Sequence, residues 1–320
     1  MTAHYGGPMR AMAISPENTL VPEERPEPTP RDGEVLVDVI AAGVNRADLA
    51  QVSGSYPPPP GASDLPGLEV CGRRRDTGEQ VVALLPSGGY AETVAVHPDL
   101  LLPVPSGMDP VDAAGVIEVC ATVVSNLVIE AHLTAGETVL IHGASGGIGT
   151  AAVQIAHRLG ARVLASVGSE DAAEQVRALH ADRVWNRHET DLVEAVRADG
   201  GADVILDMIG GPALRGNVRS LRPDGRLVII GILGGPTGEL PVGQLMVKRL
   251  RVIGTTLRSL DLAAKKQILD RTRELVWPLL ADGSIRIPIQ ERFDLVQAAQ
   301  AHQVLARGGH LGKVVLRVAR

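Results

Sequence analysis

The chain has 320 residues, more than one ordinary domain needs, and its formal charge of −6 gives no basic field for nucleic acid or an anionic membrane. Two cysteines, Cys71 and Cys120, are too few for a disulfide framework. No apolar run approaches the roughly 18 residues of a spanning helix, and no signal-peptide pattern opens the chain, so the expected compartment is the cytoplasm. Aromatic residues make up only 2%, so the core must be built from Val, Leu, Ile and Ala, which suits parallel strands covered on both faces. The one basic cluster, Arg73-Arg74-Arg75, is followed closely by Asp76 and Glu79 and reads as a solvated turn.

In chain order, residues 13–104 carry short apolar runs (34–40, 80–85 and 92–96) punctuated by Pro and Gly, the pattern of a β-rich domain with many turns. From residue 137 the rhythm changes. A strand at 137–141 is followed by a helical pattern at 148–159, with Ile148, Ala152, Ile155 and Leu159 on one face. Strands at 162–167, 183–185, 203–207 and 226–230 then alternate with helices at 172–179, 192–197 and 212–221. Such alternation calls for a parallel, doubly wound sheet. A strand at 251–256 is expected at the edge of that sheet. An exposed helix at 263–280, a helix at 295–305 and a last strand at 313–318 return to the style of the first third. The fold class is α/β: a doubly wound parallel (Rossmann) domain at 119–258 inserted into a β-rich domain made from 1–118 and 259–320.

Between the 137–141 strand and its helix lies His142-Gly143-Ala144-Ser145-Gly146-Gly147-Ile148-Gly149. Gly143, Gly146 and Gly149 are spaced three apart, a variant of the dinucleotide fingerprint. Glycine lets the backbone turn sharply and approach a pyrophosphate, while the helix N-terminus offers unpaired N–H donors and a positive dipole end. A bare strand–helix turn is the bland alternative, and the full βαβ series around the motif favours the ligand. Ser145, Gly146, Gly147, Ile148 and Gly149 are therefore the candidate phosphate contacts. The second strand ends at Val167-Gly168-Ser169 without the acid that accepts from an NAD ribose, which favours NADPH and leaves NADH open. Glu170 and Asp171 follow and would oppose a 2′-phosphate if they turned inward. Arg187 is the nearest cation, and an arginine grips a phosphate bidentately.

Three segments carry a specific likeness: Asn45-Arg46-Ala47-Asp48, residues 54–63 with Tyr56 and four prolines, and Gly67-Leu68-Glu69-Val70. With Ala83-Leu84-Leu85-Pro86, Gly88-Gly89-Tyr90-Ala91-Glu92, Leu257-Arg258-Ser259 and Gly312-Lys313-Val314-Val315-Leu316, the chain resembles the zinc-less quinone oxidoreductases of the medium-chain dehydrogenase/reductase superfamily over nearly its whole length. The nearest branch in that likeness is the tumour-suppressor-inducible quinone reductase group. The resemblance implies a GroES-like catalytic domain, hydride transfer from NADPH to quinones or α,β-unsaturated carbonyls, and a homodimer paired through the edge strand at 251–256.

It also implies residue roles. Tyr56, on the proline loop, matches a tyrosine of the family cleft and is the first candidate donor to the substrate oxygen, with a packed loop tyrosine as an equal reading. Asn45 matches a cleft asparagine that bonds substrate or nicotinamide ribose, although a buried turn asparagine is nearly as good a reading. Arg258 matches an arginine near the cofactor, with a surface ion pair as the bland alternative. Thr122, Ile209, Gly231, Leu233 and Lys313 match positions around the cofactor; for Lys313 a strand-edge lysine that discourages aggregation is the alternative. Metal-dependent members hold zinc with a Cys, a Gly-His-Glu segment and a further Cys or His. Here Asn45 and Leu68 stand at the first two of these places, so no metal is expected.

The chain also departs from the family pattern. Ile117-Glu118-Val119-Cys120-Ala121 replaces a Pro-Glu-Ala-aromatic run, which should widen the acceptor pocket. The 72–80 turn is about ten residues short, which predicts a trimmed hairpin. The usual phosphate lysine near Asp171 is gone, and Arg187 stands where relatives carry a tyrosine. Two other readings stay open. One is a 2-enoyl thioester reductase, since polyketide enoyl reductase domains share this fold; the other is a non-catalytic NADPH-binding structural or RNA-binding protein, which the acidic charge disfavours.

Overall fold

The computed structural model describes residues 7–318, and these divide into two compact units with breaks after Ala121 and after Leu257. Before the first break lie β1 (Pro8–Ile14), β2 (Leu20–Pro26), β3 (Val35–Val44), β4 (Glu69–Arg74), β5 (Gln80–Leu84), β6 (Thr93–Val96) and β7 (Leu101–Pro103). The middle unit holds β8 (Thr138–Ile141), β9 (Arg162–Val167), β10 (Arg183–Asn186), β11 (Ala202–Asp207), β12 (Leu221–Ile229) and β13 (Arg251–Gly254). After the second break come β14 (Ile289–Asp294) and β15 (Lys313–Arg317).

In the unit built from both ends of the chain, one sheet runs β14-β15-β3-β4-β5-β7, with β6 also paired to β3, and β1 and β2 form a separate hairpin. All pairings are antiparallel except β14 with β15. β3, the longest strand among the described residues, is buried along most of its length and carries Val37, Val39, Ala41 and Val44 into the core. β4 and β5 are joined by a tight hairpin, the trimmed turn expected of 72–80.

The middle unit is a six-stranded parallel sheet in the order β10-β9-β8-β11-β12-β13. Leu140, Leu164, Ile205 and Leu227 are essentially excluded from solvent and form its core with Val196, Val218 and Leu221. Strand order reverses at β8, so the crevice outside the carboxyl ends of β8 and β11 is the switch point where open α/β sheets take ligands. β13 sits at the edge, as the sequence predicts.

Several expectations need correction. The helix at 263–280 is two helices, Leu262–Leu275 and Trp277–Ala281, because the proline at 278 lacks the N–H that would continue the ladder. Nor is it exposed: Lys265, Ile268, Leu269 and Thr272 are buried on one face. The helix at 212–221 is shorter, Leu214–Ser220, and Leu221 already opens β12. Arg73-Arg74-Arg75 leads into the exposed turn between β4 and β5, with Arg73 and Arg75 on the surface. Arg73 and Arg74 end β4, and Arg75 bridges Glu27 and Asp38. Lys313 lies at no sheet edge, since β15 runs between β14 and β3 and the side chain is 3% exposed.

Candidate functional site

The glycine turn follows β8 and opens the helix Gly147–Arg158. Gly143 has φ +58, and a Cβ on Gly149 would stand 2.4 Å from the Gly143 carbonyl oxygen. The two glycines thus let the turn close on itself. Gly146 is the N-cap and brings no side chain to the helix end. The amides of Gly147, Ile148 and Gly149 find no backbone carbonyl among the described residues, so they remain available to an anion at the positive end of a twelve-residue helix. The residues present therefore fit a dinucleotide's pyrophosphate. Ser145 is half-buried in the same turn.

At the end of β9 the Ser169 hydroxyl caps the helix Glu170–Arg177 by accepting from the Ala172 amide at 3.2 Å, which turns Glu170 and Asp171 into the first helical turn and onto the surface. The Arg187 amide donates to Val167 O at 3.0 Å. Its guanidinium lies over Gly168, so close that a Cβ there would meet Nη2 at 3.0 Å. Gly168, Ser169 and Arg187 are thus brought together. The sequence also placed Ile209, Gly231 and Leu233 near the cofactor. Ile209 and Gly231 flank the ends of β11 and β12, the Ile209 amide donating to Asp207 Oδ1 at 2.7 Å, while Leu233 is 58% exposed.

Beneath the turn lies a polar group that sequence reading missed. His142 is buried, with Nδ1 3.0 Å from Ser166 Oγ and Nε2 2.7 Å from Asn217 Oδ1. Burial holds its pKa below the ordinary range, so the ring is neutral, with Nε2–H donating to Asn217; burial also raises Asp207 next to it. Thr122 is buried near the start of the π-helix Val124–Glu130, its carbonyl accepting from Asn126 Nδ2 at 2.7 Å, and Asn126 Oδ1 in turn accepts from Thr255 Oγ1 at 2.6 Å. Short π-segments recur at functional sites, but nothing in the apolar run 117–129 announces one.

In the other unit, Asn45 closes β3 and caps the helix Arg46–Val52. Its amide donates to Asp48 Oδ2 at 2.8 Å, and the Asp48 amide returns the bond to Asn45 O at 3.0 Å. The Asn45 side chain meets two buried charges. Its Nδ2 donates to Glu69 Oε1 at 3.1 Å, and its Oδ1 accepts from Lys313 Nζ. Lys313 also donates to Val44 O at 2.8 Å and pairs with Glu69 at 2.7 Å. Arg258 is no surface ion pair. It is 6% exposed, donates to Pro86 O and Tyr56 O at 2.6 and 3.0 Å and to Gln51, and stacks on the Tyr56 ring with its guanidinium carbon 4.9 Å from the centroid. It therefore shapes the Tyr56 loop.

Two neighbours went unread in the sequence. The Arg46 side chain makes no hydrogen bond or ion pair among the described residues, and burial lowers both its pKa and that of His310, on which Arg46 and Lys313 also act. Burial pushes the Cys71 thiol up to about 12 and Cys120 higher still, so neither supplies a thiolate. Among the described residues no group of three or more His, Cys, Asp or Glu is placed to hold a metal ion, and no helix is long and apolar enough to cross a membrane.

Comparison with known proteins fits this geometry. A family model described as "Alcohol dehydrogenase GroES-like domain" matches residues 31–86, and one described as "Zinc-binding dehydrogenase" matches residues 147–274. The chain is 31% identical to a quinone oxidoreductase of Mus musculus, over 96% of this chain and 97% of the relative. It superposes with a TM-score of 0.83 on the quinone oxidoreductase from Thermus thermophilus, solved also in complex with NADPH, at 32% identity over 97% of this chain and 99% of the other. It is also 31% identical, over 90% of its length, to a segment making up 14% of a phenolphthiocerol/phthiocerol polyketide synthase polypeptide from Mycobacterium tuberculosis. The chain belongs to the zinc-less quinone oxidoreductase family of the medium-chain dehydrogenase/reductase superfamily and is an NAD(P)H-dependent oxidoreductase.

Proposed function

We propose that this enzyme reduces quinones or α,β-unsaturated carbonyls with NADPH and without a metal. The observation that carries the reading is the Asn45–Glu69–Lys313 cluster. Where metal-dependent relatives gather zinc ligands, this chain presents a carboxamide, an apolar Leu68 and a glutamate already paired with a buried ammonium. A donor set of that kind disfavours a divalent cation, because the ammonium already neutralises the Glu69 carboxylate. Without a Lewis acid the acceptor must already be electrophilic, which a conjugated carbonyl is. Bound nicotinamide supplies the hydride. The chain's own residues would hold its phosphates on the Gly147, Ile148 and Gly149 amides and would offer hydrogen-bond donors to the acceptor oxygen, Asn45 and Tyr56 foremost.

The unit carrying the glycine turn is, on this reading, the cofactor-binding domain, and the other is catalytic. Preference for NADPH rests on Arg187 over Gly168, with Glu170 exposed and paired to Arg177. The experiment is an NADPH-oxidation screen across ortho-quinones, para-quinones, enones and enoyl thioesters, repeated with NADH. The expected outcome is turnover of quinones or enones, faster with NADPH. An Arg187→Ala variant should lose NADPH affinity by about tenfold while NADH binding stays level, given the worth of a charge-assisted phosphate contact. A variant whose preference is unchanged removes the argument for the phosphate.

A second reading, reduction of 2-enoyl thioesters, draws on the similarity to the polyketide synthase segment; crotonyl thioester turnover above that of simple quinones would favour it. Binding of NADPH without oxidation by any acceptor would favour a non-catalytic role, and the net charge of −6 speaks against RNA as the partner. A small-molecule acceptor and a homodimer formed through the β13 edge complete the proposal.

A further inference from the structure

We infer that Glu69 and Lys313 are positioning residues that lock the Asn45 carboxamide in one orientation, so that its second Nδ2–H points a hydrogen bond at the oxygen of the hydride acceptor. This deepens the proposed reduction of conjugated carbonyls and rests on that reading for the identity of the acceptor.

The hydrogen-bond count carries it. The Lys313 ammonium donates to Val44 O at 2.8 Å and to Asn45 Oδ1, and it forms an ion pair with Glu69 Oε1 at 2.7 Å. All three contacts lie within its own unit and commit the ammonium there, which gives the lysine a different task from the one its sequence position implies. Glu69 is equally committed. Oε1 pairs with the Lys313 ammonium and accepts from Asn45 Nδ2 at 3.1 Å, and Oε2 accepts from the Glu118 amide at 3.0 Å. The carboxylate is seated against Gly43 of β3, where a Cβ would approach Oε1 to 2.3 Å and the Ala114 carbonyl oxygen to 2.5 Å, so only glycine leaves room for it. All three side chains are buried, at 8%, 0% and 3% exposure for Asn45, Glu69 and Lys313.

Rotating the Asn45 amide by half a turn would set its NH₂ against the ammonium and its oxygen against the carboxylate. Both bonds would become repulsions in a site remote from water, where they are felt most. The two charges therefore fix which end of the amide is which. One Nδ2–H is spent on Glu69, and the other has no partner among the described residues. Lys313 on the amide oxygen also draws electron density from the nitrogen and strengthens that remaining donor. In the reaction, hydride adds to the β-carbon of an enone or to a quinone, and the displaced π electrons collect on the carbonyl oxygen. Asn45 stabilises that charge with a hydrogen bond and keeps its proton; water supplies the proton that completes the product.

The test combines an orientation readout with kinetics. The Asn45 side-chain amide gives a ¹⁵N–¹H pair identifiable by its loss in Asn45→Ala. It should be sharp in the wild-type protein and broadened in Lys313→Met; an unchanged pair overturns the positioning role whatever the enzyme reduces. A wild-type enzyme inactive on every quinone and enone would end the proposed function instead, and the amide signal would still decide the orientation. With an accepted substrate, Lys313→Met should lower kcat by about tenfold or more, as loss of a charge-stabilising donor does, with the NADPH Kd moved by less than about threefold. In an Asn45→Ala background the same lysine substitution should cost less than about twofold, because the two residues act through one bond. Additive losses would indicate a merely structural lysine, and a raised NADPH Kd with kcat intact would return it to cofactor binding. Because Lys313→Met alone leaves a buried unpaired carboxylate, Lys313→Met/Glu69→Gln serves as the folded control. It should show the same fall in kcat, and wild-type kcat in that double variant overturns the inference.

Discussion

Asp48 and His302 meet on the Tyr90 hydroxyl, which donates to Asp48 Oδ2 at 3.1 Å and lies 3.0 Å from His302 Nε2. Burial raises the Asp48 carboxyl from 3.8 to about 6, and burial lowers the His302 imidazole from 6.5 to about 4. The consequences for stability oppose one another. Between the unfolded and folded values of Asp48 the folded chain holds the extra proton, so this group makes folding less favourable as pH rises to about 6. For His302 the unfolded chain holds the extra proton between about 4 and 6.5, so its contribution grows as pH rises. Each is on the order of 3 kcal/mol and the windows overlap, which leaves a nearly flat profile in wild type from this trio. Urea unfolding from pH 4 to 7 should therefore show Asp48→Asn losing stability steeply on acidification and His302→Gln gaining it. Parallel slopes in the two variants would refute the pairing. The residue types at this site are legible in the sequence: Asn45, Tyr56, Arg258 and Lys313 stand out through family likeness. Their partners are not, because Lys313 reaches Asn45 across 268 positions and Arg258 reaches Gln51 across 207, and no local pattern encodes such pairings.

At the scale of elements, the parallel half of the molecule is the more readable. Its strands are buried on both faces, so β9 and β11 each carry a contiguous apolar stretch, Val163-Leu164-Ala165 and Val204-Ile205-Leu206. The β-rich half hides more. β2 has one buried residue, Leu20, in Leu20–Pro26, so neither alternation nor an apolar run marks it, and its partner β1 goes unnoticed with it. The proline at 278 splits a helical pattern whose periodicity alone runs through. The glycine turn is where sequence and structure agree most closely, and its glycines do different things. A Cβ at Gly149 would collide with backbone of Gly143 and Ala144 at 2.4–2.7 Å, whereas at Gly146 the nearest atom is 3.5 Å away. Gly149→Ala should thus destabilise the domain by about 1–3 kcal/mol, the cost of forcing backbone to move. Gly146→Ala should melt like the wild type yet bind NADPH at least about tenfold more weakly, since its methyl would stand where phosphate approaches. Thermal melts with cofactor titration separate the two. A Gly146→Ala protein with unaltered affinity would move the phosphate away from this turn.

For the whole molecule, the least explained surface lies on the sheet unit. Met246 and Val247 are 72% and 81% exposed on the helix Val242–Val247, and the edge strand β13 that follows bares Val252. On its outer side β13 has no strand partner among the described residues. Nor does it carry the usual protections of such an edge, since a single charge, Arg251, precedes Val252, Ile253 and Gly254. A long-lived monomer would leave an apolar strand edge as a template for uncontrolled pairing. A two-fold axis beside β13 would pair it with its own copy, extend two six-stranded sheets into one, and cover Met246 and Val247 together with the edge. Val252→Lys sets two ammonium groups near that axis and leaves the monomer's core untouched, because the side chain points to solvent in the isolated chain. Sedimentation should then give a species of twice the 33.6 kDa chain mass for the wild type and of the single chain for the variant, with the melting temperature of the variant becoming independent of protein concentration. A wild-type protein that sediments as a monomer at micromolar concentration would assign the bare edge to some other partner and detach it from the cofactor domain's self-association.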